Sequence, residues 1–284
     1  MIQLDRRAGR ADGPVHIVRT AVPSAQGAVV RIAMGNGGAA ELRYYLGLGG
    51  NLGNVAATMT SAIRALRSRG DLVPLASAFY STSPMGVAAG EGYMNAVFGV
   101  DSSKMPLEML AACQAIEAEC GRIRLRHWGP RTLDIDILLL ERDGQSRTWE
   151  TDSLTIPHLG LPYRRFVLDP LCEIAPSAIH PVLGMTVFEI RRWLLPRPLN
   201  IHVPSGALFS LDEIETSLPP HLRSRLALRT GTASAATDGN WLVDFREPAD
   251  SSRPRFLGLA DVAEPLVRLR EILEAMTDEP SVLV

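Results

Sequence analysis

The stretch Arg131-Thr132-Leu133-Asp134-Ile135-Asp136-Ile137-Leu138-Leu139-Leu140 decides how the rest of the chain is read. It is rich in residues that suit a pleated, half-buried surface, and acid interrupts it twice at a spacing of two. Side chains alternate faces along a strand, so Asp134 and Asp136 are expected on one face and Leu133, Ile135, Ile137 and Leu139 on the other. Two carboxylates held side by side repel each other unless a cation lies between them. Hard divalent cations favour carboxylate oxygens and often share their shell with phosphates, so the pair reads as a Mg2+-phosphate seat. The plain alternative is the solvated edge of an amphipathic strand.

The residues upstream weigh on that choice. Arg122, Arg124, Arg126, His127 and Arg131 flank the turn Trp128-Gly129-Pro130 that leads into the strand. Guanidinium forks match phosphate oxygens in pairs and stay charged, so a basic loop emptying onto an acidic strand face fits a bound polyphosphate. Lys104 is the only lysine among 29 basic residues. A catalytic-lysine mechanism or a Gly-Lys-Ser/Thr phosphate loop is therefore excluded, and any phosphate clamp must be arginine.

Length and composition set the outer bounds. A chain of 284 residues with 46% hydrophobic content can hold one large or two modest domains. A formal net charge of -2 gives no reason to expect a nucleic-acid or membrane partner. Cys113, Cys120 and Cys172 lack CxxC or paired-His spacing and read as free thiols of a reducing compartment, the cytoplasm. No segment reaches the ~20 apolar residues of a membrane span. No sustained heptad is present, so a monomer is favoured. Residues 1–43 are expected to be a disordered extension.

Folding is expected to begin at Tyr44-Tyr45-Leu46-Gly47-Leu48, a short buried strand followed by the turn Gly49-Gly50-Asn51-Leu52-Gly53. The third glycine of a GxGxxG counted from Gly47 falls on Leu52, which discounts a dinucleotide loop. Val55, Met59, Ala62, Ile63 and Leu66 recur at helical spacing up to the stop at Gly70. Residues 72–81 read as a strand with an edge or bulge at Pro74. A glycine-rich loop follows to Gly92, then a strand over 93–100. A second helix runs from Pro106 to Cys120 with Leu107, Leu110, Ala111 and Ala118 as its apolar side. With the two-aspartate strand the order is β-α-β-β-α-β, the split βαβ arrangement of an α+β fold: an antiparallel sheet with two helices on one face. Residues 199–284 suggest a strand over 240–245, a loop over 230–239 and one helix traced by Leu259, Val262, Ala263, Leu266, Leu269, Leu273 and Met276. They are read as a small accessory domain or a cover, with a disordered tail as the alternative.

Several of these motifs, in order, resemble 6-hydroxymethyl-7,8-dihydropterin pyrophosphokinases of folate biosynthesis: Leu46 through Gly53, Tyr93-Met94-Asn95-Ala96-Val97, Gly121-Arg122-Ile123-Arg124, Trp128 through Ile137, Ile156-Pro157-His158, and Pro170 through Pro176. The resemblance spans residues 44–198 and implies a ferredoxin-like sandwich that moves a diphosphoryl group from ATP to the pterin hydroxymethyl, leaving AMP. It implies two Mg2+ ions held by Asp134 and Asp136, with phosphate clamps at Arg122, Arg131 and Arg164. Nucleotide contacts are implied at Gln114, Glu117, Arg124, Ile137 and His158. The pterin would lie between Tyr93 and Phe166, with Asn95 reading its amide-like edge and Thr82, Met85 and Trp128 lining the slot. The chain departs from the family pattern at His127, where an arginine is common, and at Leu159.

Two other classes of function remain open on sequence. A nucleotide-sensing module of the same fold would bind ATP without turnover, and a divergent relative kept for structure alone would not bind metal. The paired aspartates and the arginines weigh against both.

Overall fold

The computed structural model describes residues 30–31, 42–83, 92–121, 132–231 and 240–283. In chain order its elements are β1 (Val30–Arg31), β2 (Leu42–Gly50), α1 (Val55–Ser68), β3 (Leu72–Ala76), β4 (Tyr80–Thr82), β5 (Tyr93–Ser102), α2 (Pro106–Glu119), β6 (Asp134–Arg142), β7 (Gln145–Arg147), β8 (Trp149–Thr151) and β9 (Leu154–Ile156). They continue as α3 (Arg165–Ile174), β10 (Ile179–His180), β11 (Met185–Thr186), α4 (Val187–Arg192), β12 (Leu199–Pro204), α5 (Leu211–Ser217), α6 (Pro220–Arg223), β13 (Leu226–Gly231), β14 (Trp241–Asp244), β15 (Phe256–Gly258), α7 (Pro265–Thr277) and β16 (Ser281–Val282).

Strand β2 is the spine of the main sheet, paired antiparallel with β5 on one edge and β6 on the other. The path runs β1-β3-β5-β2-β6-β7, with β4 also on β5 and β16 on β4. Helices α1 and α2 cover one face. Val55, Met59, Ala62 and Leu66 of α1 and Met109, Cys113 and Ile116 of α2 share a core with Leu46, Leu48, Ala96, Phe98, Ile135 and Ile137. Asn54 starts α1 by accepting the Ala57 N–H at 3.0 Å, and Gly70, at φ +89°, turns the chain where the helix ends. Truncating a fully buried anchor such as Leu66 to Ala costs about 2–5 kcal/mol.

Three local expectations for the main sheet and its helices need correction. The buried side of α2 is Pro106, Met109, Cys113, Ile116 and Glu117, while Leu107, Ala111 and Ala118 are exposed. Small and apolar residues ring this helix, so periodicity does not choose a face and the sheet beneath it does. Leu139 joins the opposite core from Ile135 and Ile137, because a bulge at Leu138 sets Tyr45 opposite Leu139 but Leu46 opposite Ile137. The expected strand over 72–81 is two strands. Between them the Ser77 hydroxyl accepts the Val97 N–H, and the Glu173 carboxylate accepts the Ala78 N–H. The register shift falls at Pro74, between Leu72 and Leu75.

The other face of the sheet meets a second core, in which Tyr45, Val97, Leu138 and Leu139 pack with α3, α4 and residues 199–276. Here β12 to β15 form a parallel sheet in the order β13-β12-β14-β15. The expected strand is β14. The expected helix begins only at Pro265, because the Leu259 N–H extends the sheet by donating to the Asp244 carbonyl at 2.9 Å and Pro265 suits a first helical turn.

Candidate active site

Strand parity gathers the expected polar residues of β4, β5 and β6 on the face that α3 packs against. Val97 belongs to the core beneath α3, so Asn95 and Tyr93, two and four residues earlier on β5, share its side. On β2 the residues opposite Asn95 and Asp134 are one and the same, Gly49, and Gly47 lies opposite Asp136. Thr82 closes the row as the partner of Tyr93. Thus Thr82, Tyr93, Asn95, Gly49, Asp134 and Asp136 form one band across four strands.

Glycine at 49 has a steric cause. A Cβ there would come within 2.9 Å of Asn95 Oδ1, so the carboxamide can lean over β2 only because no side chain rises from it. The Asn95 Nδ2 donates to Thr82 Oγ1 at 2.9 Å in a buried pair. With that donor engaged, the carbonyl oxygen is the group turned toward the bare backbone of Gly49, and it is an acceptor.

At the other end of the band, Arg164 Nη1 lies 3.3 Å from Asp136 Oδ2, and His158 Nε2 lies 3.9 Å from the same oxygen. His158 is placed by its own main chain, which donates to the Leu138 carbonyl at 3.0 Å. Its Nδ1 accepts the Gly160 N–H at 3.0 Å, so in the neutral ring the proton sits on Nε2, facing Asp136. Burial, then the Arg164 guanidinium, push the His158 pKa below the ordinary value, against the pull of Asp136 and Asp134. The ring is a neutral hydrogen-bond donor at pH 7. Gly160 lets the Arg164 side chain lie over its backbone, since a Cβ would meet Arg164 Nε at 2.5 Å. The guanidinium carbon of Arg164 also stands 5.7 Å from the Phe166 ring centroid, within cation–π range.

The remaining expected residues fall elsewhere. Gln114 is exposed on α2, in the layer across the sheet from the band. Glu117 is 3% exposed, and its Oε1 accepts the Ile135 N–H at 2.7 Å. It is therefore neither plain helix surface nor part of the band. The Ile137 side chain lies in the helix-side core, so its backbone is what it can offer a ligand. Met85, Arg122, Arg124, Trp128 and Arg131 lie outside the described residues, as does His127. Leu159 is among the exposed apolar residues. Sequence reading missed Glu173, which receives the Ala78 N–H and the Tyr80 hydroxyl at 2.9 Å and so ties β4 to α3. It stands inside the quoted motif Pro170 through Pro176, but nothing local names its partner.

Among the described residues no group of three or more His, Cys, Asp or Glu side chains is placed to hold a metal ion. The cysteines are free, and burial pushes the Cys113 thiol up to about 12, which makes it inert at neutral pH. No helix of the described residues is long and apolar enough to cross a membrane.

Comparison with known proteins bears on this band. The family model described as 7,8-dihydro-6-hydroxymethylpterin-pyrophosphokinase (HPPK) matches residues 45–176, from β2 to the turn after α3. A Methylorubrum extorquens protein named 2-amino-4-hydroxy-6-hydroxymethyldihydropteridine pyrophosphokinase is 40% identical over 148 residues, covering 52% of this chain and 90% of that one. Proteins of the same name from Haemophilus influenzae and Synechocystis are 38% and 40% identical, covering 48% and 51% of this chain and 84% and 72% of theirs. With nearly the whole of a relative aligned at such identity, and the motif-bearing strands all inside the matched span, this chain belongs to the 7,8-dihydro-6-hydroxymethylpterin-pyrophosphokinase family.

Proposed function

We propose that the protein transfers diphosphate from ATP to the hydroxymethyl group of 6-hydroxymethyl-7,8-dihydropterin, giving AMP and the pterin diphosphate, as a step of folate biosynthesis in the cytoplasm. Family membership supports the reaction. The observation that carries the site is the band itself: an acceptor over a bare glycine at one end, and two carboxylates with an arginine and a neutral histidine at the other. The fold reading that goes with it is the ferredoxin-like sandwich, supported by β3, β5, β2 and β6 lying side by side with all neighbours antiparallel.

The residues divide the work by chemistry. Asn95 Oδ1 reads an N–H on the edge of the flat heterocycle, and Thr82 keeps the carboxamide from turning over. Tyr93 and Phe166 supply π faces for the ring, with Met85 and Trp128 completing the slot. The guanidinium groups of Arg122, Arg131 and Arg164 hold phosphate oxygens, Arg164 by exchanging its carboxylate partner for an anion of higher charge. His158 Nε2–H donates toward the same region without adding charge. Gln114, Arg124 and the backbone of Ile137 are assigned to the nucleotide, while the Glu117 carboxylate, expected there as well, is bonded to the Ile135 N–H and reaches the nucleotide only through that strand.

The donor set of Asp134 and Asp136 fits Mg2+, since both supply carboxylate oxygens from one strand face. Two Mg2+ ions held there would supply charge neutralisation on the phosphate chain. No general base is assigned, because phosphoryl transfer depends chiefly on positioning and electrostatics. The test is product analysis with ATP and the hydroxymethyl dihydropterin. AMP release in step with pterin diphosphate is expected, and ADP as the nucleotide product, or ATP binding without turnover, would refute the reading.

A further inference from the structure

Strand β4 carries Thr82, yet it is only three residues long and so has few ladder bonds to hold it in place. One of its edges is taken by β5. The other is taken by the end of the chain: β16 pairs antiparallel with it, Ser281 opposite Ser81 and Val282 opposite Tyr80, and the Leu283 N–H donates to the Phe79 carbonyl at 2.8 Å. Just before β16, Asp278 Oδ1 accepts the Ser83 N–H at 3.4 Å, at the residue that follows Thr82. Asp278 is itself buried at the end of α7, and the carbonyl of Thr277 beside it receives Arg197 Nη2 and Arg225 Nη1. Leu283 helps line a cavity of about 400 Å³ together with Asn51, Asn54, Ser81, Tyr93 and Met94.

We infer that residues Asp278 to Leu283 are positioning residues for the pterin: by clamping the outer edge of β4 they hold Thr82 Oγ1 where it fixes the Asn95 carboxamide. The parallel sheet at residues 199–258, which sequence alone leaves without a role, is then the platform that delivers this clamp. The distinction from general stability lies in what the clamp touches. Its hydrogen bonds to the main sheet end on Phe79, Tyr80, Ser81 and Ser83, and among the described residues none of the ladder or capping bonds of β16 reaches β6, His158 or Arg164. A loosened β4 should therefore disturb one substrate and spare the other.

This inference rests on the diphosphotransfer reading, and the experiment separates the two. In the full chain, Leu283→Pro removes the N–H that binds Phe79 and leaves every residue of the band intact. Steady-state AMP release is measured against each substrate, with the unfolding midpoint of each protein. The expected result is a rise of about five-fold in KM for the pterin, with KM for ATP within about two-fold of the parent. If Leu283→Pro does not fold, Asp278→Ala, which removes the acceptor of the Ser83 N–H, is read by the same split. Unchanged KM for the pterin overturns the inference, as does a parallel loss in both KM values and kcat that tracks an earlier unfolding midpoint. A parent chain that releases no AMP refutes the diphosphotransfer reading itself, and this inference with it.

Discussion

Arg164 Nη1 rests 3.3 Å from Asp136 Oδ2, so a cation from the segment after β9 is held beside the acid pair of β6. The contact is partly exposed, and a pair of this kind contributes at most about 1 kcal/mol to stability. Its value is positional. If it binds phosphate as proposed, an arginine already held beside the carboxylates loses little freedom when the anion arrives. Asp136→Asn is expected to lower kcat at least about a hundred-fold, the scale for losing a group that faces developing charge, while shifting the unfolding midpoint little. Side-by-side AMP release and thermal melts check this. A variant that melts normally and turns over at the parent rate would remove Asp136 from the chemistry.

Thr82 and Asn95 make the second prediction. Thr82→Val keeps the shape of the side chain and removes the oxygen that receives Asn95 Nδ2. The buried carboxamide then lacks an anchor for its donor and can turn its NH2 toward the ligand. KM for the pterin is expected to rise about ten-fold with KM for ATP unchanged. Gly49→Ala should also raise KM for the pterin, because the new methyl would stand 2.9 Å from Asn95 Oδ1 and push it aside; since Gly49 is the partner of Asp134 as well, the comparison with ATP is made on Thr82→Val alone. Both variants are read by substrate-resolved kinetics, and an effect of Thr82→Val on ATP equal to that on the pterin would break the link.

How far the sequence could be read depended on whether a signal was local. The alternation of Asp134, Ile135, Asp136 and Ile137 is legible because strand geometry forces it, and it stops at Leu138 because a bulge depends on pairing with β2. Helix α1 is legible from Val55, Met59, Ala62 and Leu66, which leave one apolar stripe. Helix α2 has no such stripe, so its buried side follows from the layer it meets. At the candidate site, the types and order of residues are visible in the motifs. The convergence of His158 and Arg164 on Asp136, and of Asp278 on Ser83, is tertiary and leaves no mark in any window of the chain.

Glu117 tests whether a buried acid serves the fold or the nucleotide. Its Oε1 accepts the Ile135 N–H, one residue from Asp134. Glu117→Ala strands that donor and should cost about 1–3 kcal/mol, the penalty for an unsatisfied buried polar group. Glu117→Gln retains an acceptor and should recover most of the loss. Chemical denaturation of both variants measures this. If Glu117→Gln instead melts as the parent does but shows a large rise in KM for ATP, the residue's charge belongs to nucleotide binding.

Asp278 gives a pH dependence with a definite sign. Burial raises its pKa above the ordinary value of 3.8, against the Ser83 and Glu279 N–H groups and the charges of Arg165 and Arg225 that favour the carboxylate. A raised acid binds its proton more tightly in the folded state, so between 3.8 and the raised value folding takes up a proton. Stability from this group is therefore greatest below that window and declines as pH climbs through it. Asp278→Asn, with a neutral side chain of the same size, should flatten the decline. The difference in unfolding free energy between parent and variant, followed by denaturant titration across the acid range, is expected to grow in the variant's favour as pH rises and then level off above the raised pKa. A difference that shrinks with rising pH would mean that the arginines outweigh burial and that the Asp278 carboxylate is a stabilising charge in the folded protein.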